Sequence, residues 1–291
     1  MSFTALDVKN LREMTGCGMM DCKKALTETD GDMDKAVDFL REKGMASAAK
    51  RSGKIASEGV CYTAVNGNVG VLVEVNCESD FVARGEMFLA YVKDIAEYIF
   101  NNDVENVERV IEACQERTNE AIQKIGENIK IRRFAKYVSN ETIDSYMHMG
   151  GKIGVLVECA KGVSSATIHD VAFQIAAAKP SYVKEDEVPA EVLEKEKDIM
   201  VAQMKNDPKF ANKPEAVLKN IVNGKLNKYY EENCLLKQAF VKDPSLTISA
   251  LLAKENSTVL KFARFEMGEG LQKKSENLAD EVAAQVEAMK K

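Results

Sequence analysis

A chain of 291 residues that is 45% hydrophobic and 30% charged can form a sizeable core over two or three packed units. Its 40 Lys and Arg against 46 Asp and Glu leave a formal charge of −6, which argues against direct nucleic-acid binding, because phosphate contacts need clustered cations. No run of about 18 apolar residues is present, so no membrane span is expected, and the opening stretch MSFTALDVKNLREM has no apolar segment of the signal-peptide kind. A cytoplasmic location is expected.

The first 44 residues carry three short helical patterns. Thr4 can cap the first, in which Val8, Leu11 and Met14 share a face and Gly16 is the stop. The second runs from about Met20 to Thr29 and buries Cys22, Ala25 and Leu26. Asp32 caps the third, where Met33, Ala36, Val37 and Leu40 make one face and Gly44 ends it. So small a core suits a docking module. Met45–Gly59, rich in Ala, Ser, Lys and Gly, reads as a linker with at most one helical turn.

At Val60 the period changes from helical to alternating. Val60–Val65 and Val69–Cys77 are predicted strands joined by a turn at Asn66-Gly67. A helix is predicted over Gly85–Phe100, with Phe88, Tyr91, Val92, Ile95 and Ile99 on one side. A second is predicted over Val104–Ile125, stopped by Gly126, and Ile129–Val138 returns to extended structure. The segment Gly70-Val-Leu-Val-Glu74 then recurs as Gly154-Val-Leu-Val-Glu158. Each copy leads through a loop into an apolar helix, the second over about 165–178. An internal duplication giving two related α+β subdomains is expected.

All five prolines follow residue 179. Between Glu191 and Tyr230 the pattern is helical, with Leu218, Ile221, Val222, Leu226 and Tyr229 as a stripe. Pro208 and Pro214 punctuate the turn of an antiparallel helical hairpin. Thr258–Met267 alternates as a returning strand, and Asn277–Lys291 is a predicted final helix.

Enzyme signatures are missing: no phosphate-binding G-x-x-x-x-G-K-[ST], no dinucleotide G-x-G-x-x-G after a strand, no H-E-x-x-H and no G-x-S-x-G. Seven cysteines, at 17, 22, 61, 77, 114, 159 and 234, contain no C-x-x-C pair and have only His148 and His169 beside them. They read as reduced core residues, with no zinc site and no cofactor. A binding protein is favoured over an enzyme.

One segment stands out: Asn76-Cys77-Glu78-Ser79-Asp80-Phe81-Val82-Ala83, between a buried strand and a helix. On one reading Asp80 caps the helix and Phe81 drops into the core. On the other, an exposed loop presents a carboxylate beside an aromatic wedge for a partner's pocket.

That segment resembles the signature loop of the bacterial elongation factor Ts family, usually N-x-x-T-D-F-V-A, with Ser79 where Thr is usual. Three further stretches resemble the family in the same order. They are Leu11-Arg-Glu-Met-Thr-Gly-Cys-Gly-Met-Met-Asp-Cys-Lys-Lys-Ala-Leu26, Lys124-Ile-Gly-Glu-Asn-Ile-Lys-Ile-Arg-Arg133 and Arg264-Phe-Glu-Met-Gly-Glu-Gly270. The likeness covers essentially the whole chain and is weakest over 205–245.

The resemblance implies an α+β fold with an N-terminal three-helix, ubiquitin-associated-like module and linker (1–55). Two related core subdomains follow (56–140; 141–190 with 231–270), then an inserted helical hairpin (191–230) and a C-terminal helical module (271–291). It implies a non-enzymatic exchange factor that binds elongation factor Tu in its GDP form, with Ser79, Asp80, Phe81 and Val82 disturbing the partner's magnesium site. It further implies partner contacts at Arg12, Met19, Met20, Lys23, Ile125, Gly126, Glu127 and His148. By default Met19 and Met20 would be core residues, Arg12 and Lys23 solvated charges and His148 a hydrogen-bonded surface histidine. A homodimer or two-plus-two complex through the hairpin remains open. The competing readings are a docking or chaperone-like partner without exchange activity, and an enzyme without a recognisable motif.

Overall fold

The computed structural model describes residues 3–15, 17–206 and 215–271. The expected helix stop at Gly16, the turn at Pro208 and Pro214 and the final helix 277–291 lie outside them. The fold is α+β, and the described residues divide into two compact units. The first comprises Met1–Cys61, Val73–Arg133 and the residues from Glu266 on; the second comprises Tyr62–Leu72 and Phe134–Phe265.

The first unit opens with α1 (Ala5–Thr15), α2 (Met19–Glu28) and α3 (Met33–Arg51). Thr4 and Asp7 form a reciprocal cap on α1: the Thr4 N–H donates to Asp7 Oδ2 at 2.7 Å and the Asp7 N–H to Thr4 Oγ1 at 3.3 Å. Asp32 accepts from the Lys35 N–H at 3.1 Å to start α3. Val8, Leu11, Cys22, Ala25, Leu26, Ala36 and Leu40 close the small core.

Helix α3 corrects one expectation: it runs through Gly44 to Arg51, over much of the expected linker. Gly44 is not a stop but a point of close approach, where a Cβ would stand 2.8 Å from Gln123 Oε1. The helix it faces is the last of three: α5 (Glu86–Asn101), α6 (Val107–Ala113) and α7 (Gln115–Ile125). The single helix expected over 104–125 is thus two. Buried Cys114, at φ −101° and ψ 9°, leaves helical geometry, ending α6 and opening α7. Helix α5 buries Phe88, Tyr91, Val92, Ile95 and Ile99 as its periodicity requires.

Strands β1 (Glu58–Asn66), β2 (Val69–Cys77) and β3 (Lys130–Val138) form a sheet in the order β1-β2-β3, and the unit boundary falls within all three. The β1–β2 turn sits at Gly67-Asn68, one residue beyond the expected pair, with Gly67 at φ 59°. At the far end of β2, fully buried Glu74 is bound by Arg132 at 2.8 Å and Arg133 at 2.6 Å, and accepts the Gly268 N–H at 2.8 Å.

The second unit holds β4 (Thr142–His148), β5 (Ile153–Cys159), α8 (Ser165–Ala178), α9 (Ala190–Asn206), α10 (Glu215–Asn233), β6 (Ala239–Phe240), β7 (Asp243–Thr247), α11 (Ile248–Ala253) and β8 (Val259–Glu266). Its main sheet has the order β4-β5-β8, with β4 and β5 antiparallel and Tyr146 opposite Val155. Helix α8 packs over β4 and β5, and its Ile168, Val171, Ala172 and Ile175 join Val155, Val157 and Leu252 in the core. Helices α9 and α10 pack together, with Met200 and Met204 buried. In both three-stranded sheets the middle strand carries the Gly-Val-Leu-Val-Glu segment. Among the described residues no helix is long and apolar enough to cross a membrane.

Candidate functional site

Beyond β2 the chain makes a four-residue helix, α4 (Asp80–Ala83), before α5 begins. Ser79 sits in extended backbone and its hydroxyl accepts the Val82 N–H at 3.3 Å, so Ser79 rather than Asp80 is the cap. The inward position of this turn is filled by buried Ala83. Phe81 falls on the outer side and is 84% exposed; it does not enter the core. Asp80 is also exposed and accepts from Arg84 Nη2 at 3.1 Å. An exposed i,i+4 ion pair of this kind contributes about 0.3–0.5 kcal/mol, so an incoming group can displace Arg84 at little cost.

The base of the turn is built from two carboxylates. Helix α7 ends at Ile125, and Gly126 in the left-handed region (φ 83°) turns the chain, its N–H donating to Ile122 O at 2.8 Å. That turn delivers Glu127 to the loop. Glu127 Oε2 accepts the N–H groups of Glu78 and Ser79, both at 3.0 Å, and Oε1 accepts the Ser79 hydroxyl at 2.6 Å. In return Glu78 Oε1 accepts the Asn128 N–H at 2.7 Å and a guanidinium N–H of Arg51, the last residue of α3, at 3.3 Å. The Cys77 thiol donates to Ser79 O at 3.2 Å. Burial, aided by the charge of Glu127, pushes that thiol up to about 12, so it stays a neutral donor at neutral pH.

The other expected site residues fall in three places. Met19 and Met20 open α2 beyond a glycine that provides no side-chain cap, and both are exposed, as are Leu6 and Met14 of the same module. Arg12 and Lys23 are exposed on α1 and α2. Ile125 and Gly126 are half-buried at the end of α7, directly before Glu127. His148 ends β4 in the second unit, where its Nδ1 lies 3.2 Å from the Tyr146 hydroxyl. Local periodicity does not mark Glu78, Arg51 and Asn128 as site residues, because their contacts join positions 27 and 50 residues apart.

The turn thus holds an aromatic ring in solvent on an α+β frame, its base bound by Glu127. The family model described as Elongation factor TS matches residues 78–269, well over half of the chain, and the chain belongs to the elongation factor Ts family. The matched span opens at Glu78, the base of the loop, and closes at Glu269, beside the Glu74–Arg133 cluster. Membership makes this a translation elongation factor, and it implies elongation factor Tu as the binding partner.

Proposed function

We propose that the chain is a cytoplasmic guanine-nucleotide exchange factor that binds elongation factor Tu in its GDP form and releases the nucleotide by disturbing the magnesium site. The observation that carries this reading is Phe81, 84% exposed at the tip of a turn whose base is held by Glu127. Magnesium at a nucleotide site keeps several waters and bridges phosphate oxygens. A ring pressed between the partner's side chains displaces the elements that hold those waters, and Asp80 adds negative charge at the same spot. With the cation lost, the diphosphate charge is poorly compensated and GDP leaves. Ser79 and Val82 shape the turn, while Met19, Met20, Arg12, Lys23, Ile125, Gly126 and His148 are the proposed docking contacts. The repeated central strands support two related subdomains, with α9 and α10 as the inserted hairpin.

Burying one Phe is worth about 1.5–3 kcal/mol, and each 1.4 kcal/mol is about tenfold in affinity. The wedge therefore accounts for about a ten- to hundredfold weakening of GDP, with docking contacts supplying more. Linkage makes the effect mutual: GDP weakens this protein's grip by the same factor. Release of a fluorescent GDP analogue from elongation factor Tu tests the reading. Parent protein accelerates release, and Phe81→Ala lowers the acceleration by about tenfold or more. Tight binding with no change in release would instead establish a docking or chaperone-like partner.

A further inference from the structure

The loop carries two acidic residues at its base whose carboxylates are engaged within the chain. Glu127 has both carboxylate oxygens engaged within the chain, on the Glu78 N–H, the Ser79 N–H and the Ser79 hydroxyl. Glu78 answers from the other side, on the Asn128 N–H and Arg51. Each carboxylate thus binds the backbone beside the other, so residues 78–79 and 127–128 form a reciprocal clamp. The Asn128 side chain extends it by donating to Lys54 O at 2.7 Å. All of these groups lie in the first unit.

We infer that Glu127 is a positioning residue: it presets the loop so that Phe81 stands in its working orientation before any partner arrives. This rests on the reading of Phe81 as the exchange tip. A four-residue helix has little intrinsic stability, because nucleation fixes several dihedrals for one hydrogen bond. Without a clamp, residues 78–82 would sample many conformations, and the ordering cost would fall on the encounter with the partner. Charged acceptors on backbone N–H groups are the strong kind of hydrogen bond, and both donors here belong to the residues that lead into the turn. The clamp also joins the end of α3 to the loop through Arg51, so the last turn of the three-helix module belongs to the same rigid base.

The test uses the full chain and four variants. Amide hydrogen exchange of the free protein reads the clamp itself, with no partner present. Glu127→Ala raises the exchange rates of the Glu78, Ser79 and Val82 amides by about tenfold or more, and Glu127→Gln, which keeps one carbonyl acceptor, gives a smaller rise. With elongation factor Tu, Glu127→Ala lowers the maximal rate of GDP release by about tenfold, while the concentration giving half the maximal effect moves less. Glu127→Gln recovers part of the rate. Ser79→Ala, which removes both a donor to Glu127 and the α4 cap, shifts both readouts in the same direction. Amides that stay protected in Glu127→Ala overturn the clamp. Loosened amides with unchanged release overturn the positioning role, and Phe81→Ala run alongside tells that result from failure of the exchange reading: Phe81→Ala still slows release if the reading holds. A loss confined to the half-maximal concentration would make Glu127 a docking contact and overturn the inference.

Discussion

Leaving a phenyl ring 84% exposed forgoes about 1.5–3 kcal/mol of burial, and the residues around Phe81 explain why it is not recovered. The inward position of α4 belongs to Ala83, and Glu127 fixes the backbone at Ser79. The sequence showed the acid-plus-ring pair but left two readings of it open, since Asp80 and Phe81 fit a capped, core-directed turn equally well. What resolves them is a contact between residues 79 and 127 that no local pattern encodes. Glu74 teaches the same lesson. Alternation in β2 marks it as facing one side of a sheet, yet it is fully buried, because Arg132 and Arg133 of β3 neutralise it. Removing one partner of a buried pair leaves an uncompensated charge. Glu74→Ala, which takes the shared carboxylate from Arg132, Arg133 and the Gly268 N–H while the arginines keep the Glu266 and Glu269 acceptors, is expected to lower unfolding free energy by about 1–3 kcal/mol in urea titration. A loss below about 1 kcal/mol would mean that the arginines find water instead.

Among the elements, α3 shows how glycine misleads. Gly44 at the end of an amphipathic run reads as a stop, but α7 occupies the space beside it, and the helix continues for seven residues to Arg51. Only contact with a helix far along the chain distinguishes the two roles. Gly44→Leu is therefore expected to force α3 away from α7 and to cost about 1–3 kcal/mol by thermal unfolding; an unchanged melting temperature would contradict close packing there. The caps of α1 and α3 give a pH signature. Asp7 is held below its ordinary value chiefly by the Thr4 N–H, and Asp32 chiefly by the Lys35 N–H. A carboxylate depressed in the folded state stabilises above its unfolded value, near pH 4, and that contribution disappears as pH falls through the lower folded value. The three-helix module should accordingly lose helical circular dichroism below about pH 4. Asp32→Asn keeps a capping oxygen without the charge, so its melting temperature should fall less between pH 5 and pH 3 than the parent's. Equal falls would show that the cap is not ionic.

Over the whole molecule, the repeat of Gly-Val-Leu-Val-Glu was the most legible feature, because both copies became middle strands of three-stranded sheets. A buried middle strand must be apolar on both faces, and that requirement survives in sequence as a recognisable run. The break at Cys114 and the course of α3 were not legible, since each depends on packing rather than propensity. The loop's role is the claim on which everything functional depends. Its most direct test is stopped-flow release of fluorescent GDP from elongation factor Tu at saturating factor, comparing parent with Phe81→Ala in excess magnesium and again after chelation. A gap of about ten- to hundredfold is expected in excess magnesium, shrinking when the cation is removed. Equal rates for the two proteins in excess magnesium would contradict it.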